Sequence, residues 1–334
     1  MESITRRGWL LFAAMGAIWG VPYLLIKVAV KHLQPPVVVF GRTSIAAVVL
    51  VALAWRADAL RPALAHWRYV LLFATIEMAV PWFLLTNAER HLPSGLSGLL
   101  VSCVPLVGAV AAFALGDRAA LRPIRLVAIG LGMAGVGLLV ARDLGGAGGI
   151  PWLSVGSVLV VCVGYATAPF LATRRLGNVP SIGVIAVSLA FVAIVYAPFA
   201  VATRPAEMPS ASALWAVVGL AVVCTGVAFV VFFQLISAIG PDRATLITFV
   251  NPAVAVVLGA VVLDERITFS TVIGFVLVLS GCWLATRRAP DALQPTPVEP
   301  VDQSSGPTSW SESSRSAMVD RSASRAGGSC PPAP

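Results

Sequence analysis

The residues of this chain that could do chemistry are few, and they lie inside long apolar runs. Glu77 stands in the middle of the run Tyr69–Ala88, with Pro81 four residues on. Proline has no N–H, so it withdraws the bond that the Glu77 carbonyl would accept in a helix. A carboxyl group and a freed carbonyl are then concentrated at one level. A charge at the centre of a membrane costs about 2.5–3.5 kcal/mol on insertion scales, and low dielectric disfavours the ionised form. Such a residue can carry a coupling proton or bind a cationic group of a ligand. It can equally be a structural acid, protonated or paired with an arginine. Arg42 is the next candidate, about 9 Å along its run from Pro36 at a helical rise of about 1.5 Å per residue. A guanidinium there could hold a carboxylate bidentately, snorkel outward or pair with Glu77. Lys27 sits about one helical turn from the end of its run, where snorkelling competes with ligand binding.

Weaker candidates surround these three. Trp19, Tyr23, Trp82, Tyr165 and Phe170 fall near glycines or prolines inside the runs. They could wall an amphipathic pocket, which mixes apolar surface with a few polar groups, or they could simply be packed. Asn87, Gln234 and Asn251 are amides in or at the edge of runs; they can bridge helices or contact a substrate. Of these, Asn251 is favoured for contact because it precedes Pro252. Pro22, Pro81, Pro105, Pro169 and Pro252 are expected to kink the helices that hold them.

The elements that must position these residues follow from composition. The chain has 334 residues, 58% hydrophobic and only 11% charged, with a mean hydropathy of +0.90. Soluble domains carry about 25% charged residues. Ten apolar spans can be marked: Trp9–Val30, Pro36–Trp55, Tyr69–Ala88, Leu96–Leu115, Ile124–Ala141, Leu153–Leu171, Ile182–Val201, Leu214–Ile236, Ala244–Val262 and Phe269–Ala285. Each approaches the roughly 20 residues needed to cross a bilayer. The net charge of +8 does not indicate nucleic acid, because the basic residues stand singly or in pairs between spans rather than in one patch. Cys103, Cys162, Cys224 and Cys282 lie inside spans and read as small packing residues. From Ala289 the sequence turns to Pro, Ser, Asp and Glu, and this tail cannot bury a core.

A single shift of 147 positions pairs Pro22 with Pro169, Tyr23 with Phe170, Lys27 with Arg174, Asn87 with Gln234, Pro105 with Pro252 and Val107 with Val254. This is an internal repeat. The expected organisation is a short N-terminal segment (1–8), a first five-helix copy (9–146), a second (147–288) and a cytoplasmic tail (289–334). Thirteen arginines fall in loops or at span ends on the side of the N-terminus, against five lysines and arginines on the other. That asymmetry places both termini in the cytoplasm. A repeat of five helices must insert its second copy upside down, and inverted repeats with a midplane site are a common transporter design.

These features resemble the drug/metabolite transporter superfamily, in its EamA-type ten-helix branch. The resemblance rests on Trp19-Gly20 with Lys27 following, Arg42 in the second span, and Pro105 and Pro252 in the fourth and ninth. It rests also on Leu263-Asp264-Glu265-Arg266-Ile267-Thr268 ahead of Gly274 and Gly281. It covers Trp9 to Thr286. The first copy departs from it with Gly116-Asp117-Arg118, where the glutamate turn is expected. What the resemblance implies is an all-α membrane protein and a transporter of small molecules, since such families include exporters of amino acids, metabolites and toxic compounds.

Other classes lack their residues. His32, His66 and His91 all fall in loops, and the chain has no His-Glu-x-x-His or Gly-x-Ser-x-Gly pattern, so an embedded hydrolase lacks its machinery. No glycine-rich phosphate loop is present to bind ATP, and no cofactor or metal motif stands out. The expectation is therefore a secondary transporter in a bacterial inner membrane, since scarce lysine and abundant Arg, Ala, Val and Gly suit a GC-rich bacterial genome. It would export a small metabolite, amino acid or amphipathic compound by alternating access, with proton antiport as the coupling that Glu77 allows. The alternatives are an uptake permease of the same fold and, in a different class, a lipid flippase or embedded enzyme.

Overall fold

Thr5 starts the first helix, its hydroxyl accepting from the Gly8 N–H at 3.2 Å, which satisfies one of the orphan donors of a helix start. Helix α1 (Arg6–Ala29) then runs on through Pro22. Helix α2 (Pro35–Arg56) opens on two prolines, whose missing N–H groups are not needed in a first turn. Short α3 (Leu60–Ala65) leads into α4 (Trp67–Ala74), a π-helical turn (Thr75–Ala79) and α5 (Val80–Ala88). Helices α6 (Ser94–Val101) and α7 (Val104–Ala114) follow, then α8 (Pro123–Asp143), α9 (Trp152–Leu176) and α10 (Ser181–Ala202). Next come α11 (Ala211–Ala221), a second π-helical turn (Val222–Val227), α12 (Ala228–Ile239), α13 (Asn251–Leu263) and α14 (Phe269–Thr286). The computed structural model describes residues 5–114, 123–143, 152–240, 244, 247–248 and 250–286, and all regular structure among them is helical. The tail 289–334, the Gly116-Asp117-Arg118 turn, and Arg243, Arg287 and Arg288 lie outside the described residues.

Among the described residues six stretches are long and apolar enough to cross a membrane: Arg6–Ala29, Pro35–Arg56, Trp67–Ala88, Trp152–Leu176, Ser181–Ala202 and Ala211–Ile239. Shorter apolar helices occupy Ser94–Gly108, Leu126–Leu138, Asn251–Leu263 and Phe269–Leu284. The expected span Ala244–Val262 differs: its continuous helix begins only at Asn251. Pro252 occupies the first turn of α13, where its missing N–H cannot carry the hydrogen-bond ladder back into the preceding segment, although Asn251 before it is itself helical. Pro105 acts alike in the first copy, where Ser102 and Cys103 form a turn between α6 and α7. Neighbouring thiols satisfy carbonyls at that break. Cys282 donates to the Ser102 oxygen at 2.9 Å, and Cys162 to the Leu100 oxygen at 3.3 Å. Pro22 and Pro169 leave their helices continuous, and so does Pro198 in α10.

The helices pack in reciprocal pairs. α2 lies along α10, and α8 along α14; each pair joins corresponding elements of the two copies. α1 packs on α11, α12 and α13, as α9 packs on α4, α5, α6 and α7. Lipid gives no hydrophobic drive for helices to associate, so close approach over small residues does this work. A methyl at Gly16 would meet Val250 at 2.8 Å, one at Gly98 would meet Ala255 at 2.7 Å, and one at Gly20 would run into Val254. The outward surface carries Leu10, Val48, Leu153, Ile194 and Phe269, all exposed. Water would not tolerate so continuous an apolar surface; hydrocarbon does.

Candidate functional site

The two π-helical turns obey the repeat. The first begins at Thr75 and the second at Val222, the same step of 147 that relates the prolines. In the first, the Val80 N–H reaches back to the Thr75 oxygen, five residues away. Pro81 supplies the physical reason, since its missing N–H already breaks the α-helical ladder at this level. The second turn has no proline. There the Thr225 hydroxyl donates to the Leu220 oxygen, five residues back, at 2.8 Å. π-turns inside α-helices are rare and concentrate at functional sites.

The first turn carries Glu77. Its Oε2 is buried and makes no hydrogen bond. Gly164 of α9 lies against this turn so tightly that a methyl there would stand 2.5 Å from the Ile76 oxygen and 3.0 Å from the Pro81 ring. The Tyr196 hydroxyl of α10 donates to the Ala79 oxygen at 2.9 Å. At the position in the second turn that corresponds to Glu77 stands Cys224, so only one copy carries the acid.

Arg42 on α2 points at the second turn. Only 9% of its surface is exposed. Its Nε donates to Thr225 Oγ1 at 3.0 Å, and its guanidinium carbon lies 3.7 Å from the centre of the Trp82 ring. The expected alternative of an Arg42–Glu77 ion pair is not formed; Arg42 spends one donor on a hydroxyl and its face on an indole. Its terminal amino groups have no protein partner among the described residues. Tyr165 of α9 lies within electrostatic reach of both Glu77 and Arg42, and within hydrogen-bonding reach of the Trp82 indole. Tyr23 of α1 is buried and within reach of Tyr165 and Arg42. Residues of α1, α2, α5, α9 and both π-turns thus gather around one buried cation that has no acid paired to it among the described residues. Guanidinium offers five donors in a planar fork, and a buried cation without a counter-charge costs several kcal/mol. This arrangement suits an anionic group from outside the protein.

The other candidates lie apart from this cluster. Trp19 packs against Phe232 with ring centres 4.8 Å apart and planes tilted by 42°. The Asn251 amide, oriented as its neighbours require, donates to the Gly16 oxygen at 3.1 Å and the Ile247 oxygen at 3.0 Å, so it ties α13 to α1. Gln234 is exposed on α12 and Phe170 on α9. Lys27 turns inward, donating to the Glu89 oxygen at 2.7 Å and the Leu92 oxygen at 2.8 Å, and so caps the end of α5. Sequence reasoning missed Thr225 and Glu89. Thr225 gave no signal, because hydroxyls are common in membrane helices. Glu89 stands just past the apolar run that ends at Ala88 and beside Arg90 and His91, where nothing local marks it as buried.

Residues 6–141 match the EamA-like transporter family, and residues 152–287 match it a second time. The uncharacterized transporter YvbV of Bacillus subtilis is 26% identical over 289 residues, 84% of this chain and 92% of that one. The uncharacterized inner membrane transporter YedA of Escherichia coli K12 is 28% identical over 254 residues, 75% of this chain and 81% of that one. An uncharacterized transporter of Archaeoglobus fulgidus is 22% identical over 84% of this chain and 97% of its own length. A solved crystal structure superposes with a TM-score of 0.58 at 23% identity, covering 84% of this chain and 96% of that one, a likeness of fold.

Proposed function

The chain belongs to the EamA-like transporter family and is a multi-pass membrane transporter; from this premise we propose that it is a secondary active exporter with its site between the two π-turns. In this reading the six long and four shorter apolar stretches are ten membrane crossings, arranged as two inverted five-helix copies (9–146 and 147–288). Both termini lie in the cytoplasm. The substrate is a small metabolite, amino acid or amphipathic compound that carries an anionic group.

The observation that carries the proposal is Arg42, buried against Trp82 and Thr225 with no acid paired to it. Its free donors bind the anionic group, and the rings of Trp82, Tyr23 and Tyr165 hold the apolar body. Glu77, with an unpartnered oxygen, carries a proton in one state and gives it up in the other. Alternating access exposes the pair to each side in turn, so proton and substrate exchange across the membrane as antiport. The reciprocal packing of corresponding helices supports a rocking of one copy against the other.

Counterflow into proteoliposomes, with a panel of anionic, zwitterionic, cationic and neutral amphipathic compounds, tests the reading. Anionic or zwitterionic members should exchange, and Arg42→Lys should lose most of that exchange, because lysine keeps the charge but not the planar fork. Exchange confined to cationic or neutral compounds, or unaffected by Arg42→Lys, would overturn it.

A further inference from the structure

At the end of the bundle where α1 and α5 finish and α6 begins, four buried oxygens lack partners. They are both carboxylate oxygens of Glu89 and the hydroxyls of Ser94 and Ser97. Glu89 is 0% exposed, although it is the first residue beyond the apolar stretch Trp67–Ala88. The Lys27 ammonium comes to the same place, but its bonds go to main-chain oxygens of Glu89 and Leu92, not to the Glu89 carboxylate. From the second half of the chain Glu265 brings another carboxylate. It accepts from the N–H groups of Ser94 at 2.7 Å and Gly95 at 3.1 Å, in the first turn of α6, where the helix dipole favours an anion.

The charges do not balance. Glu89 lies within electrostatic reach of Lys27 and Glu265, so two carboxyl groups face one ammonium. The other titratable groups nearby do not correct this. On α1 this is Tyr23, and on the turn after it Lys31 and His32, both exposed; on the Glu89 segment, Arg90 and His91, both exposed; on the turn after α13, Asp264 and Arg266, both exposed. A sealed, ionised carboxylate with neither oxygen bonded is not tolerated, and one further positive charge is needed.

We infer that Glu89 is a second proton-binding site, separate from Glu77, and that its proton holds this end of the bundle shut. The Glu265 clamp on α6 joins the two halves of the chain. When Glu89 loses its proton, the cluster carries excess negative charge, and water must enter to solvate it. The path opens by parting Glu265 from the first turn of α6. Burial pushes the Glu89 carboxyl above the ordinary carboxylate range; Lys27 pulls it back by less, and Glu265 adds to the rise. The closed form therefore holds the proton more tightly than the hydrated form. Closure is complete at low pH and is lost as the pH rises through that raised value. Only what this end gates rests on the exporter reading; the proton site is tested without transport.

Infrared titration of the purified protein in nanodiscs reads the proton directly. The difference between wild type and Glu89→Gln should contain a protonated-carboxyl stretch that persists above the ordinary carboxylate range, and Glu77→Gln should leave that component in place. Opening is read by thiol labelling of Ser97→Cys, located by mass spectrometry. Its rate, divided by the rate in the Glu89→Gln background at the same pH, should climb by up to about tenfold per pH unit, the limit for one proton. A difference spectrum without that band, a pH-independent labelling ratio, or a Glu89→Gln protein that fails to fold would each overturn the inference, since glutamine copies the protonated form.

Discussion

Arg42 and Thr225 lie 183 residues apart in the chain, and a hydrogen bond of 3.0 Å joins them. The bond runs from α2 of the first copy to the π-turn of the second, so the buried cation depends on both halves for its position. Thr225→Val keeps the shape but removes the acceptor for Arg42 Nε and the bond to the Leu220 oxygen. Leaving a buried donor unsatisfied costs about 1–3 kcal/mol. The expected outcome is a lower melting temperature in detergent together with reduced counterflow, while Thr225→Ser retains most of both. Counterflow unchanged in Thr225→Val would show that Arg42 needs no such anchor.

Gly20 sets the distance between α1 and α13. A methyl there runs into Val254 and stands 3.1 Å from the Asn251 oxygen. Gly20→Ala should destabilise the fold by about 1–3 kcal/mol, as overpacking does. Alanine at 254 would keep the Cβ that the methyl meets, so Val254→Gly is the relieving change, and the double variant should recover part of the loss, a non-additivity expected of residues in contact. Thermal unfolding of the four proteins of this cycle checks it. Strict additivity would mean that the helices do not meet at this pair.

What the sequence made legible was set by local chemistry. Pro105 and Pro252 announce the breaks ahead of α7 and α13, because proline removes the donor that would continue the helical ladder. The shift of 147 was readable from paired prolines, and both π-turns fall on it. The turns themselves were not readable: Val222–Val227 has no proline to mark it, and the Thr225 hydroxyl that bonds the Leu220 oxygen there is of a common kind. Arg42 and Trp82 were each named, but their stacking was hidden, since it depends on how α2 meets α5. Glu89 went unremarked because its burial comes from α1 and the Glu265 turn, which are distant in sequence. Lys27 was expected near the surface, yet two carbonyls at the end of α5 draw it inward.

Topology is tested by reporters. A fusion after Arg288 should report the cytoplasm, and one in the loop at Arg204, between α10 and α11, should report the opposite side. The arginine asymmetry and the odd repeat require this difference. The same side for both would remove the inverted arrangement and the rocking built on it.

Glu77 carries the central claim, that a proton exchanges with substrate at the first π-turn. The most direct measurement is flux driven by a pH jump in proteoliposomes, normalised to folded protein, for wild type and Glu77→Gln. Glutamine is uncharged and nearly isosteric with the protonated acid. The account predicts that Glu77→Gln folds and reaches the membrane as wild type does and still exchanges substrate in counterflow, but no longer accumulates it against a gradient when the pH is stepped. Accumulation with wild-type pH dependence in Glu77→Gln would contradict the account and move the coupling proton elsewhere.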